Sequence, residues 1–116
     1  MTLRVKKLIA RELADYRAAR NGNDPAKAWI ALERAHILSQ PYLVLHLTNH
    51  WEMLKLAAAE RDVKEVVGQI ARLALAPLGS LTGRIPVGNT GRSDVSAFKS
   101  MPIPEDLRDD FARHDK

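Results

Sequence analysis

Apolar residues recur along this chain with the period of a helix, not of a strand. Between Leu3 and Arg20 they fall at Val5, Leu8, Ile9, Leu13 and Tyr16, offsets that make one helical face. Arg4, Lys7, Arg11 and Arg17 lie off that face. Asn21-Gly22-Asn23 ends the pattern, because Gly and Asn tolerate positive φ. A second helix is predicted from Pro25 to about Leu38, with Asn23 or Asp24 as cap and proline at its start, where a missing N–H is harmless. Ser39-Gln40-Pro41 breaks it, and Pro41 opens a third helix that reaches about Arg61. Asp62 caps a fourth, whose apolar stripe is Val63, Val66, Val67, Ile70 and Leu73. Pro77 and Gly79 end or kink that helix.

From Gly79 the chain turns rich in glycine and proline. Residues 1–78 therefore read as a helical bundle, 79–103 as a wrapping loop and 104–114 as a short helix opened by Pro104-Glu-Asp-Leu. Leu81, Ile85 and Val87 imply that the loop packs on the bundle, and His114 to Lys116 should fray. No stretch alternates strictly enough for a strand. The expected fold is all-α: a single domain over 1–116, an up-and-down bundle of about four helices, with antiparallel neighbours because the connections are short.

Composition narrows the function classes. The 116 residues are 46% hydrophobic and 28% charged, a globular balance. The chain has no cysteine, which excludes disulfides, Fe–S clusters, cysteine-based zinc sites and thiol catalysis. No apolar run approaches the ~20 residues of a membrane span, and Arg11 and Glu12 interrupt the first one too early for a signal peptide. A cytoplasmic protein without a membrane partner is expected. The net charge of +4 permits nucleic-acid contact. Aromatics are only 5%, however, and no stacking platform is legible, so a solvated basic face fits better.

The unusual chemistry lies on the second and third helices. Glu33 and His36 are spaced i,i+3, and His46 and His50 i,i+4. His36 stands four residues before Gln40 and His46 six after it, so in an antiparallel hairpin they reach about the same height at 1.5 Å per residue. Glu33 falls one turn further down, near the level of His50. Three imidazoles and a carboxylate suit a divalent transition metal such as Zn, Ni, Cu or Fe. A single Glu-x-x-His copy disfavours a di-iron centre, and Leu47 stands where a zinc protease has its glutamate base. Buried neutral histidines satisfied by Glu33, a hydroxyl or a carbonyl are the competing reading, with an acid–base role as a third.

Gly88-Asn-Thr-Gly91-Arg-Ser93 fits either an anion-cradling turn or a tight turn needing unusual φ at Asn89 and Gly91. No Gly-x-Ser-x-Gly or other nucleophile arrangement is present, so an enzyme is not expected. The alternative to metal binding is a helical interaction module or homodimer, with a protein partner docking around Trp51 and Tyr42.

Glu33-Arg-Ala-His36-Ile-Leu-Ser-Gln-Pro41, followed by His46 and His50 and then by Gly83-Arg-Ile-Pro-Val-Gly-Asn-Thr-Gly-Arg-Ser93, resembles the family called domain of unknown function 3703. The likeness runs from about Pro25 to Pro104. It implies a small bacterial cytosolic protein, with relatives often encoded near metal-efflux and metal-responsive genes. It implies no activity and assigns no functional residue.

Overall fold

Three connections of three residues each, 22–24, 40–42 and 60–62, turn the chain back on itself between four helices. They are α1 (Leu3–Asn21), α2 (Pro25–Ser39), α3 (Leu43–Ala59) and α4 (Val63–Thr82). The computed structural model describes residues 1–82 (side chains through 77), 89–93 and 101–108. Among these there is no strand, and one further helical turn spans 105–108. No described helix is long and apolar enough to cross a membrane.

The caps are those that local chemistry demands. Thr2 accepts from the Val5 N–H at 3.2 Å, Asp24 from Lys27 at 3.2 Å and Asp62 from Glu65 at 3.1 Å. Each satisfies one N–H that the first turn leaves unpaired. Asn23 takes φ 55° and lets the chain leave α1 sharply. The third helix starts at Leu43 rather than Pro41, since Tyr42 stays extended as its N-cap.

Each helix packs mainly on its sequence neighbours: α1 on α2, α2 on α3, α3 on α4. One core cluster joins Tyr16, Trp29, Leu32, Met53 and Leu56 across α1, α2 and α3. A second joins Val5, Leu8, Ile9 and Leu38 with Leu107 from the C-terminal turn. That turn is tied down by Arg34, which reaches Asp106 and, at 2.9 Å, the buried Glu12.

Two expectations about α4 are corrected. It does not end at 78 but runs through Pro77 and Gly79 to Thr82. A proline removes one rung and crowds one carbonyl, yet leaves the downstream residues free to bond with one another. Most of its apolar stripe does not form the core either. Val63, Val67 and Ile70 are 72%, 60% and 54% exposed, while Glu65, Gln69 and Ala76 are buried; Val66, partly buried, does pack on the first core cluster. The inward face of α4 is taken by polar residues that hold the segment 89–93. Of the wrapping loop, 89–93 packs on the bundle as expected. Ile85 and Val87, the side chain of Leu81 and the end of the last helix lie outside the described residues.

Candidate metal centre

α2 and α3 present His36, His46 and His50 to one point. The rings stand at 44–72° to one another with centroids 4.6–4.8 Å apart. Their Nε2 atoms form a triangle with sides of 3.0, 3.0 and 3.1 Å. All three residues are at least nine-tenths buried. The i,i+4 spacing on α3 stacks His46 over His50, and the hairpin brings His36 to the same level.

Hydrogen bonding fixes two of the three tautomers. His36 Nδ1 lies 2.7 Å from the main-chain oxygen of Asn89. A carbonyl only accepts, so Nδ1 carries the proton and Nε2 is a bare lone pair. His50 Nδ1 lies 2.7 Å from Gln69 Oε1. The Gln69 amide cannot be turned round, because its nitrogen donates to both Glu65 Oε2 and Gly91 O at 2.8 Å. His50 Nε2 is therefore bare as well. Among the described residues the buried His46 Nδ1 has no partner. At most one N–H, from His46, is thus available to two inward lone pairs 3.0 Å apart.

Burial, helped by the neighbouring imidazoles, pushes His36 well below the ordinary histidine range. Burial pushes His46 down to about 4, and His50 to about 4 against the opposing bond from Gln69. Three neutral imidazoles face one another near neutral pH, which is the protonation state a metal ion requires.

The segment 89–93 is a strap across the site. Gly91 lies flat on His36 at φ 84°, and a Cβ there would come 2.7 Å from the ring. Asn89 Oδ1 accepts from the Gly91 N–H at 2.8 Å. The tight turn expected at Gly91 is present, and Arg92 is committed elsewhere. It donates to Glu65 at 2.7 Å and lies 3.7 Å over the Trp29 ring. Ser93 N–H adds a third donor to Glu65 at 2.9 Å. Burial acts to raise the Glu65 carboxyl, but Arg92, Gln69 and Ser93 overcome it and hold it below the usual range. Gly68 lets the strap close, since a Cβ there would meet Ser93 Cβ at 2.2 Å.

The three histidines read from the sequence are brought together, and Glu33 is not in the group. Glu33 is half-buried on α2, and at i−3 it sits about 60° round the helix from His36. The carboxylate that reaches the network is Glu65, through Gln69. Neither residue, nor Asn89 as a backbone acceptor, carries a sequence signal beyond its place beside a glycine-rich segment. Thr48 and Glu52, on the same helix as His46 and His50, bond to Val44 O and Lys55.

No curated protein sequence and no solved structure matches this chain. The family model described as protein of unknown function (DUF3703) matches residues 3–111 of the 116, and the chain belongs to that family.

Proposed function

We propose that the protein binds a transition-metal ion through His36, His46 and His50 and holds or delivers it rather than performing chemistry on a substrate. The observation that carries this is the convergence of three buried Nε2 atoms, two of them locked as bare lone pairs. Lone pairs at 3.0 Å repel unless a cation lies between them, and burying them unpaired is costly. At the usual metal–nitrogen distance of about 2.0–2.1 Å, an ion touching all three would sit about 1 Å outside their plane. The nearby carboxylate of Glu65 is held by Arg92, Gln69 and Ser93 and does not stand ready as a general base.

The test is metal analysis of untagged protein, paired with thermal unfolding at increasing metal concentration. An ion at 100 times its dissociation constant should stabilise the fold by about 2.7 kcal/mol. A flat melting temperature with every transition metal refutes the reading, as does a shift that survives His46→Ala with His50→Ala.

A second property, self-association, is favoured by a separate observation. Val44 and Trp51 on α3 are 76% and 52% exposed, and Val63, Val67 and Ile70 of the neighbouring α4 are open as well. On each helix the spacing alternates between three and four residues or their sum, the repeat of a helix–helix seam. Such a face suits the same hairpin of a second copy. Light scattering tests it: a dimer that Val67→Glu dissociates supports self-association, and a monomer at high concentration refutes it.

A further inference from the structure

The three rings offer an ion nitrogen and no charge. Among the described residues the group of potential ligands is His36, His46 and His50, with no carboxylate in it. The atoms behind the rings are neutral too. His36 leans on a main-chain carbonyl, His50 on a side-chain amide, and His46 Nδ1 on no described residue. Metal-binding histidines often lean on a carboxylate, which adds negative charge and strengthens the donor. Here the carboxylate that the described network reaches, Glu65, stands a residue further away, behind Gln69, and Arg92 donates to it at 2.7 Å. On the same side of α4, the positive charge of Arg72 is felt at both His36 and His50, and at His50 it outweighs the opposing charge of Glu65.

That environment discriminates by ionic charge. The cost of taking an ion out of water rises with the square of its charge, so a dication loses about four times what a monocation of equal size loses. A dication held by three neutral imidazoles usually recruits a water and ionises it to gain a counter-charge. Every ring here is at least nine-tenths buried, and Gly91 is laid against His36. A closed-shell monovalent ion needs no such anion, and two or three neutral nitrogens complete its coordination.

We propose that the buried tri-histidine site selects a monovalent d¹⁰ ion, Cu⁺ with Ag⁺ as its redox-inert analogue, over divalent Zn²⁺ and Ni²⁺. The proposal rests on the metal-binding reading above and specifies its cargo. No electron transfer is involved, because the ion enters and leaves as Cu⁺. The site excludes the charge that oxidation to Cu²⁺ would create.

The experiment uses the untagged full chain in chloride-free buffer, with Cu⁺ under anaerobic reducing conditions and Ag⁺, Zn²⁺ and Ni²⁺ in parallel. Dissociation constants come from competition with chelators of known affinity, and X-ray absorption on the Cu⁺ form reports the donor atoms. The expected result is one Cu⁺ or Ag⁺ per chain in an all-nitrogen shell of two or three donors. Zn²⁺ and Ni²⁺ should bind more than tenfold more weakly than Ag⁺. If either divalent ion binds within tenfold of Ag⁺ or more tightly, the charge selectivity is wrong while the metal site stands. If no ion binds, both fall. Ag⁺ can also bind adventitiously at surface donors, so His36→Gln is included, with circular dichroism confirming that it folds. Ag⁺ affinity unchanged in folded His36→Gln, or a shell containing sulfur, would also overturn the proposal. If that variant unfolds, the wild-type ranking and the shell decide alone.

Discussion

Gly91→Ala is the substitution that the strap is least able to absorb. Gly91 sits at φ 84°, in the left-handed region, where a residue with a Cβ loses about 1–2 kcal/mol. The added methyl would also lie 2.7 Å from His36 Cδ2 and 2.9 Å from its Nε2. The ring cannot retreat freely, being held by Asn89 O at 2.7 Å and crowded by His46 and His50. Relief therefore comes from lifting the strap. That forfeits the bonds from His36 to Asn89 and from Gln69 to Gly91, together with the Arg92 and Ser93 bonds to Glu65. At about 1 kcal/mol for a neutral bond and 1.5–3 for a charged one, the strap's own docking energy caps the damage. A loss of about 2–4 kcal/mol is expected, with metal affinity reduced at least tenfold because His36 loses its orienting acceptor. Urea unfolding and metal titration read the two effects separately. Gly22→Ala is the control. Its φ is −82°, and its Cβ would stand 3.3 Å from Ala18 O, so it should move stability by less than about 1 kcal/mol in either direction. A Gly91→Ala protein as stable as the wild type, with metal binding intact, would show that the strap does not rest on His36 as described.

Acid should destabilise the metal-free protein. The unfolded chain takes up histidine protons near pH 6.5, whereas His46 and His50 resist until about 4 and His36 is also lowered. Stability is thus full above about pH 6.5 and falls towards pH 4, by about 1.4 kcal/mol per pH unit for each histidine involved. Urea midpoints at pH 7, 6 and 5 check it, and a flat profile refutes it. Gln69→Leu should cost about 2–3 kcal/mol, because it strands the His50 N–H and the Gly91 carbonyl and takes one of its donors from Glu65. Nitrogen-15 NMR of its imidazoles should then show His50 no longer fixed with its proton on Nδ1. Arg34→Ala should lower stability by about 2 kcal/mol and release the turn at 105–108 to proteolysis, since it leaves the buried Glu12 with the more distant Arg11 at 3.9 Å and frees Asp106. Unchanged proteolysis would mean that Leu107 alone holds the turn.

The helices were legible because their stops are local: Asn21-Gly22-Asn23, Ser39-Gln40-Pro41 and Asp62 each act within one turn. The three histidines were legible because two helical spacings and one hairpin fix their height. What the pattern could not convey is the orientation of α4. Val63, Val67 and Ile70 obey the rule for a buried stripe, yet Glu65 and Gln69 occupy the inward face. Their partners, Arg92 and Gly91, stand 27 and 22 residues later. A polar pair on a helix reads as solvated unless the distant segment that desolvates it is known. Glu33, one turn from His36 along α2, stands outside the group that the three histidines form.

The separations along the chain also set an order of assembly. His46 and His50 are four residues apart, and His36 meets them across 10 and 14 residues, all within one helical hairpin. Gln69 joins at a separation of 19, and the Asn89 carbonyl only at 53. Short loops close first, so the hairpin gathers its three nitrogens before the strap can arrive. Ribosomes extend a chain by about 5–20 residues per second, so residues 36–50 emerge seconds ahead of the strap that covers them. The nascent chain thus passes through a stage in which the nitrogens are assembled but unsealed. An ion of the kind proposed would enter at that stage without displacing Gly91, whereas in the finished protein Gly91 lies against His36. Loading during synthesis and loading after it would then be kinetically different events for the same site.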